Sequence, residues 1–334
     1  MQRPSVTVAV VPRERFSFAQ RSLESILARR EYPFELVYVD GGSPPQVRDY
    51  LARQAAERSF RLIRTDHYLT PNAARNLAAA EVRTKYVVFI DNDVLVSPNW
   101  LAPLVDCAES TAAWVVGPLY CEREPIATRI HMAGGNGEIV VENGRRVFRE
   151  LHRHYGRSVQ EMRPSLRREP VEMIEFHSVL VRMDALARIG PLDEELLAAT
   201  EHSDLCLLAR RAGGEVYFEP DSIITYIPPT SFEPADRSYF QLRWSHAWVD
   251  ASLERFREKW DLGADDPGLA GARTWMIRHR QKTLEPCRRV LKLFGHRAAR
   301  WVEDGVVGPL EQAANHIRFP RHRYGSKPRS RAAA

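Results

Sequence analysis

Short apolar runs and segments with helical spacing alternate through the first 120 residues of the chain. Four apolar runs predict β-strands at Val6–Val11, Phe34–Val39, Phe60–Ile63 and Tyr86–Ile90. Helices are predicted between them, among them an alanine-rich helix at Pro71–Ala80. Strands that are apolar on both faces and alternate with helices are typical of a mainly parallel sheet covered on both sides. The pattern therefore predicts an α/β fold.

The alternation continues less regularly to about residue 230. Residues 129–165 are rich in Gly, Arg and His, and we predict loops and a hairpin there. The other predicted elements are strands at Trp114–Val116, Val171–Val181 and near Glu215–Phe218, a short helix at Asp184–Ile189 and a longer helix at Thr200–Arg211. We expect residues 1–230 to form one domain with halves of about 1–120 and 121–230.

Beyond residue 230 the composition changes. Large apolar residues at helical spacing predict the inner face of one or two helices, and they are Trp244, Trp248, Leu253, Phe256 and Trp260. Another helix is predicted at 286–302. We therefore expect a helical C-terminal extension over 231–315. Residues 316–334 are rich in Arg and poor in apolar residues, which predicts a basic, flexible tail.

Composition narrows the class of protein. The chain has 334 residues, of which 44% are hydrophobic and 27% charged, which excludes a disulfide-stapled mini-protein and wholesale disorder. No stretch approaches the roughly 18 uninterrupted apolar residues of a membrane span, and the N-terminus lacks a leader pattern. We therefore expect a cytoplasmic protein. Its four cysteines have no paired short spacing and are expected to be reduced.

Positive charge is concentrated at the C-terminus. Residues 273–334 hold 15 Lys and Arg against 4 Asp and Glu, a net charge of +11, so residues 1–272 carry −6 of the total of +5. Apolar residues lie among these basic residues, namely Val290, Leu291, Leu293, Phe294 and Trp301. One interpretation is a basic amphipathic helix in peripheral contact with an anionic membrane, at the inner face; the other is a solvated surface. No recognisable nucleic-acid-binding module accompanies the charge, so no nucleic-acid partner is expected.

Acidic residues follow two of the predicted strands. Asp91-Asn92-Asp93 comes directly after Tyr86–Ile90, and Asp40 follows Phe34–Val39. Ligands of open α/β sheets gather at the carboxyl ends of the strands. Two carboxylates there can share a divalent cation with a diphosphate, whereas Asp40 can accept hydrogen bonds from a ribose or base and Arg75 can neutralise phosphate. The alternative for the acidic triplet is an ordinary surface turn.

Motifs in order along the chain resemble those of the family-2 type of GT-A glycosyltransferases, over about Val6–Tyr226. The matching segments are VTVAVVP, VDGGS, NAARN, FIDND and IGPLDEELLAATEHSDLCLLARRAGG. The resemblance implies a Rossmann-like GT-A fold with a nucleotide-sugar half before an acceptor half. It also implies metal-dependent transfer of a sugar from a nucleoside-diphosphate sugar, with a UDP-sugar favoured, to a hydroxyl of a glycan, lipid-linked or small acceptor. Inversion is favoured over retention.

The same resemblance assigns roles to individual residues. Asp40 would bind the nucleoside, and Pro12, Arg75, Asp91 and Asn92 would contact the nucleotide-sugar. Asp93, with Asp91, would hold Mn²⁺ or Mg²⁺.

The general base of the family stands in the acidic pair that opens the late helix, where this chain has Glu201-His202 followed by Asp204. His202 could be the base or a metal ligand, and in the second case Glu201 could be the base. His177 and His131 could line the acceptor site, although lone histidines are more often structural.

Two other classes of protein remain open on the sequence. A nucleotidyltransferase of similar fold would also use carboxylates and a metal, but it would be expected to begin with a glycine-rich phosphate loop. Val8–Glu14 contains no glycine. A non-catalytic relative that binds nucleotide-sugar or nucleic acid is the other alternative, because Glu201-His202 departs from the family pattern.

Overall fold

The computed structural model describes residues 5–229, 232–281 and 285–318. Its strands are β1 (Val6–Val11), β2 (Glu35–Gly41), β3 (Arg61–Thr65), β4 (Tyr86–Asp91), β5 (Val94–Val96), β6 (Val115–Glu122), β7 (Ile130–Met132), β8 (Gly135–Glu142), β9 (Arg145–His152), β10 (Glu169–Pro170), β11 (Ser178–Arg182) and β12 (Val216–Tyr226). Its helices are α1 (Ala19–Leu27), α2 (Pro45–Arg58), α3 (Pro71–Glu81), α4 (Leu101–Thr111), α5 (Val159–Met162), α6 (Met183–Ile189), α7 (Glu201–Arg211), α8 (Pro234–Arg243), α9 (His246–Lys259), α10 (Pro267–Gln281), α11 (Glu285–Val302) and α12 (Gly308–Arg318). A π-helical segment, Glu303–Val307, joins α11 to α12.

One mixed sheet organises the described part of the chain, with the strand order β10-β12-β6-β11-β4-β1-β2-β3. Strands β4, β1, β2 and β3 are parallel, and β1 and β4 are buried along their whole length, as their apolar sequences predict. β11 runs antiparallel between β4 and β6, and β12 runs parallel to β6. The α/β fold class is confirmed.

The register of β1, β4 and β11 brings Asp91 and His177 together at one edge of this sheet. Val11 at the end of β1 pairs with Asp91 at the end of β4. Because β11 is antiparallel, its first residue, Ser178, pairs with Ile90. The backbone of His177 therefore meets that of Asp91, whose N–H donates to the His177 carbonyl over 3.2 Å.

Three predicted strands differ from the structure. The strand predicted at Trp114–Val116 begins at Val115 and continues to Glu122 as β6. The strand predicted at Val171–Val181 is wrong in its first part, because residues 171–177 form an irregular segment and β11 begins at Ser178. The segment looks like a strand in sequence because alternate residues such as Val171 and Met173 are buried beneath the β8–β9 hairpin. The strand predicted near Glu215–Phe218 continues to Tyr226, through a bulge that includes Pro220. The predicted hairpin within 129–165 is confirmed by β8 and β9.

The helices after residue 231 enclose a second apolar cluster. The predicted inner-face residues Trp244, Trp248 and Phe256 are buried, and the Phe256 ring lies 5.0 Å from the ring of Phe148 on β9. The cluster also contains residues 196–199, which lead into α7. α8–α10 therefore support the hairpin and the start of α7 from one side.

The end of the chain is only partly described, so most of the tail predicted over 316–334 lies outside the described residues. Among the described residues, no helix is long and apolar enough to cross a membrane.

Candidate active site

The acidic triplet forms a tight turn at the end of β4. The side-chain amide of Asn92 donates to the Arg15 carbonyl over 2.9 Å, and its oxygen accepts from the Arg13 backbone N–H over 3.1 Å. These bonds tie the turn to the loop after β1. Asn92 is thereby engaged in holding the two flanking carboxylates in place.

Asp91, Asp93 and His177 converge in a buried cluster. Each offers a ligand atom, and these atoms all lie within 4.8 Å of one another. Neither carboxylate oxygen of Asp93 has a hydrogen-bond partner among the described residues, and burial raises the pKa of Asp93 to about 7. A buried carboxylate without a partner is costly, so this position is suited to a cation.

The neighbours of this cluster set its charge. Burial and then the charge of Arg13 lower the pKa of His177 to about 4, so its imidazole is neutral at pH 7 and able to bind a metal. Although burial opposes ionisation of Asp91, the close contact with His177 and the charges of Arg13 and Arg75 hold the pKa of Asp91 below its ordinary value. Asp91 is therefore ionised.

Two arginines face Asp91. Arg75 on α3 lies 3.5 Å from Asp91 Oδ1, and its guanidinium lies 3.6 Å from the centre of the Phe176 ring. Burial lowers the pKa of Arg75 to about 10, and it remains a cation at pH 7. Arg13, which the sequence analysis did not single out, lies 3.5 Å from Asp91 Oδ2 and 2.6 Å from His177 Nδ1.

Asp40 occupies the carboxyl end of β2, as predicted, but its oxygens are already engaged. Ser43 donates to them through its backbone N–H at 2.9 Å and its hydroxyl at 2.8 Å, and Arg64 forms an ion pair with the same carboxylate. A Cβ on the neighbouring Gly41 would lie 3.2 Å from Pro12. Pro12 and Asp40 thus border one tightly packed corner beside the end of β1.

The three candidates on α7 have different surroundings. Glu201 lies 3.2 Å from Arg243 and 3.9 Å from Arg75, and these arginines lower its pKa despite burial. Asp204 points away from this group: it accepts from Lys259 at 2.7 Å and from the Trp260 indole at 2.9 Å. The structure therefore links Glu201 to Asp91 through Arg75, and it attaches Asp204 to the end of α9.

His202 has a carboxylate partner that the sequence analysis missed. Its Nε2 lies 3.6 Å from Glu150 Oε1 on β9, and Ser203 donates its hydroxyl to Glu150 Oε2 over 3.0 Å. Against the effect of burial, Glu150 raises the pKa of His202 to about 9. The imidazole is mostly protonated at pH 7.

A continuous polar network joins His202 to the acidic cluster. Its successive atoms lie 2.9–3.6 Å apart, along the path Asp91, His177, Glu175, His152, Glu150 and His202, with His131 branching from Glu175. Against the effect of burial, Glu175 and Glu122 raise the pKa of His131 to about 9. The network includes both histidines, His131 and His177, that the sequence singled out. The hairpin supplies Glu150 and His152, and the irregular segment supplies Glu175. A Glu-x-His pattern at 150–152 and again at 175–177 is the sequence signal for them.

Comparison with known proteins identifies the family and fold of the chain. The sequence model of the family described as "Glycosyl transferase family 2" matches residues 7–187. A pre-mycofactocin glycosyltransferase of Mycobacterium tuberculosis is 25% identical over 223 residues, which cover 66% of this chain and 42% of that protein. The chain spans less than half the length of the first curated relatives it matches.

Two solved structures share the fold. A mannosyltransferase from Pyrobaculum calidifontis, in complex with GDP-Man and Mn²⁺, has a TM-score of 0.52 at 15% identity, and the match covers 96% of this chain and 82% of that one. GalNAc-T7 with UDP, GalNAc and Mn²⁺ also has a TM-score of 0.52, at 16% identity, with coverages of 87% and 58%. On the family match and this shared architecture, the chain belongs to glycosyl transferase family 2 and has a GT-A fold.

Proposed function

We propose that this protein is a metal-dependent glycosyltransferase that moves a hexose from a nucleoside-diphosphate sugar, a UDP-sugar first among them, to a hydroxyl of a glycan, lipid-linked or small acceptor, with inversion. One observation carries the proposal. The buried Asp93 carboxylate has no hydrogen-bond partner among the described residues, and Asp91 and neutral His177 stand beside it with ligand atoms within 4.8 Å. The two solved structures named above are complexes with Mn²⁺ and with UDP or GDP-Man.

Asp91, Asp93 and His177 would hold the cation. Two carboxylates and one imidazole suit Mn²⁺ better than Mg²⁺, since Mg²⁺ prefers oxygen ligands and retains its waters. When bound, the ion supplies positive charge that stabilises the diphosphate as a leaving group.

The chain's own cations would act on the same diphosphate. Arg75 is fixed by Phe176 and by Asn72, whose side-chain oxygen accepts from it over 3.1 Å, so it presents its charge in one orientation. Arg13 contacts Asp91 and His177 and keeps the histidine neutral. On this proposal Pro12 and Asp40 border the nucleoside, and Asn92 positions the turn.

We assign to His202 the role of the general base that removes the proton of the acceptor hydroxyl. Among the three candidates on α7, Glu201 is paired with Arg243, and Asp204 is paired with Lys259. Among the described residues, the ion-pair partner of His202 is acidic, Glu150. The neutral imidazole, which is the minor form at pH 7, would take the acceptor proton, and Glu150 would stabilise the imidazolium that results, so the transfer rate should rise with pH up to about 9. Direct displacement with a base on the acceptor side gives inversion. On this account Asp204 anchors α7 to α9 instead of taking part in the reaction.

A lipid-linked acceptor fits the surface of the C-terminal helices. The helix α11 is broken at Gly295, whose backbone is not helical. Leu293 and Phe294 before the break are each 72% exposed and Trp301 after it is 73% exposed, and Lys292 and Arg297 are exposed basic residues on the two sides of the break. Large exposed apolar side chains among basic ones favour contact with an anionic membrane surface. We therefore propose peripheral membrane association through α11 and α12.

Release of nucleoside diphosphate tests the activity. The full chain would be incubated with UDP-glucose, UDP-N-acetylglucosamine or GDP-mannose, with Mn²⁺ or with a chelator, and the released diphosphate quantified by chromatography. We expect slow, Mn²⁺-dependent release from one donor, which Asp93→Asn abolishes. Release that persists in the chelator or in Asp93→Asn would contradict the proposed metal dependence.

A further inference from the structure

We propose that His131, His152 and Glu175 form a second divalent-cation site, with a preference for a borderline ion such as Zn²⁺. The site shares no ligand with Asp91, Asp93 and His177, which we assign to the donor's metal. It lies between β7, the end of β9 and the irregular segment before β11.

The positions of the three side chains fit a single ion. Each offers one ligand atom, and these atoms lie within 4.8 Å of one another. His131 Nε2 lies 2.9 Å from Glu175 Oε2, and His152 Nε2 lies 3.6 Å from Glu175 Oε1. Ligands about 2.0–2.1 Å from a tetrahedral zinc ion are separated by roughly 3.4 Å. Small side-chain rotations would bring this set to that geometry.

The contacts within the cluster also indicate that its polar atoms face a common point at which a cation would bind. His131 Nε2 and Glu175 Oε2 are within ion-pair distance, yet neither is aligned for a hydrogen bond with the other or with any other described residue. The rings of His131 and His152 are 5.3 Å apart and nearly perpendicular, at 76°. A bound cation would displace the His131 proton and satisfy these buried atoms together.

The types of ligand separate this site from the donor's. Two imidazole nitrogens and one carboxylate are a common set for Zn²⁺, with a remaining position open to water or another ligand. The Asp91, Asp93 and His177 set has two carboxylates and one nitrogen, and it suits a harder ion. Glu122, 3.6 Å from His131 Nδ1, stands where a supporting carboxylate orients a metal-binding histidine.

The site has a structural consequence for the acceptor side. An ion bound there would fasten the end of the β8–β9 hairpin to β7 and to the segment that carries Glu175 and His177. The same hairpin carries Glu150, the partner of His202. We therefore expect the second ion to stabilise this half of the fold.

Cobalt binding tests the inference. Co²⁺ substitutes for zinc, and its visible absorption reports four- or five-coordinate sites. Equilibrium dialysis and absorption titration would use the full chain, the Asp93→Asn variant and a His131→Ala/His152→Ala variant. His154→Ala is the matched control, because His154 is an exposed histidine two residues beyond His152.

We expect Asp93→Asn and His154→Ala to keep the low-coordinate Co²⁺ spectrum and its displacement by Zn²⁺, and the double variant to lose both while retaining Mn²⁺-dependent UDP binding. An unchanged spectrum in the double variant, or no low-coordinate Co²⁺ in the wild type, would overturn the second site without affecting the proposed function.

X-ray absorption of zinc-loaded Asp93→Asn, which needs no change in the cluster, should show two imidazole ligands. A sulfur ligand, or fewer than two imidazoles, would also overturn the assignment.

Discussion

Glu150→Gln is expected to lower the pKa of His202 from about 9 to roughly 6. At the 3.6 Å between His202 Nε2 and Glu150 Oε1, a carboxylate stabilises an imidazolium by about 4–5 kcal/mol at an effective dielectric constant of about 20. Burial of His202 lowers its pKa and the charges of Glu175 and Glu201 raise it in both proteins, so the difference between the two proteins reports the charge of Glu150. Glutamine retains the size of the side chain and can still accept from Ser203, so the change removes charge with little loss of packing.

The stability of the protein should show the same interaction. Folding raises the pKa of His202 above its ordinary value near 6.5, so the stabilisation is fully present below pH 6.5 and is lost as pH rises through 9. The pair should contribute about 3 kcal/mol at most at low pH. Urea unfolding of the wild type should therefore show a decline in stability between pH 6.5 and 9 that is reduced in Glu150→Gln.

Histidine NMR titration provides the direct assay, with the His202 signal assigned by its absence in His202→Gln. If His202 is the base, the transfer rate rises with pH as His202 loses its proton. In Glu150→Gln the pH of this rise should fall by the same amount as the pKa of His202 measured by NMR. Glu142→Gln, on the neighbouring strand of the same hairpin, is the control and should change neither. An unaltered His202 pKa in Glu150→Gln would refute the reasoning.

Three further changes test separate parts of the account. Asp204→Asn should destabilise the protein by about 1.5–3 kcal/mol in urea unfolding, because it weakens the bonds to Lys259 and Trp260, and the affinity for nucleotide should stay unchanged. A loss of affinity with no loss of stability would mean that Asp204 acts in the active site. Arg75→Lys should weaken UDP binding in the presence of Mn²⁺ by about tenfold in calorimetry, because lysine replaces a fixed planar cation with a flexible one; equal affinity would mean that Arg75 serves only to pack α3. Leu293→Ser/Phe294→Ser should reduce sedimentation with anionic vesicles at low salt and leave it unchanged with neutral ones; equal sedimentation of the wild type and variant would remove α11 as the membrane contact.

Much of the donor half could be predicted from sequence because its determinants are local. Apart from Thr7, strands β1 and β4 are apolar or aromatic at every position until Asp91, so both the strands and the position of the acidic turn follow from the pattern. Arg75 lies beside Asp91 because α3 begins at the carboxyl edge of the sheet and runs back along it before β4, which leaves its first turns near the end of β4.

The acceptor half could not be predicted in the same way, since its contacts depend on register between distant segments. Glu150 and His202 are separated by 52 positions, and they meet only because the hairpin folds over the start of α7. His177 reaches Asp91 through the antiparallel pairing of β11 with β4, which the strand predicted at Val171–Val181 obscured.

Helical geometry alone predicts that the side chains of His202 and Asp204 point to different sides of α7. Residues two apart on an α-helix are rotated by about 200° and face opposite sides. Once the helix was predicted at Thr200–Arg211, both side chains could not face the same acceptor. The structure accordingly directs His202 to Glu150 and Asp204 to α9.

Calorimetric titration of UDP into the full chain, with and without Mn²⁺, tests the central claim most directly. Asp93→Asn preserves shape and removes the charge of a buried carboxylate that has no partner among the described residues, and Asp49→Asn, at an exposed position, is the control. We predict that Mn²⁺ tightens UDP binding by at least about tenfold in the wild type and in Asp49→Asn, and that this gain disappears in folded Asp93→Asn. Equal Mn²⁺-dependent tightening in Asp93→Asn would contradict the assignment of this cluster as the metal and diphosphate site.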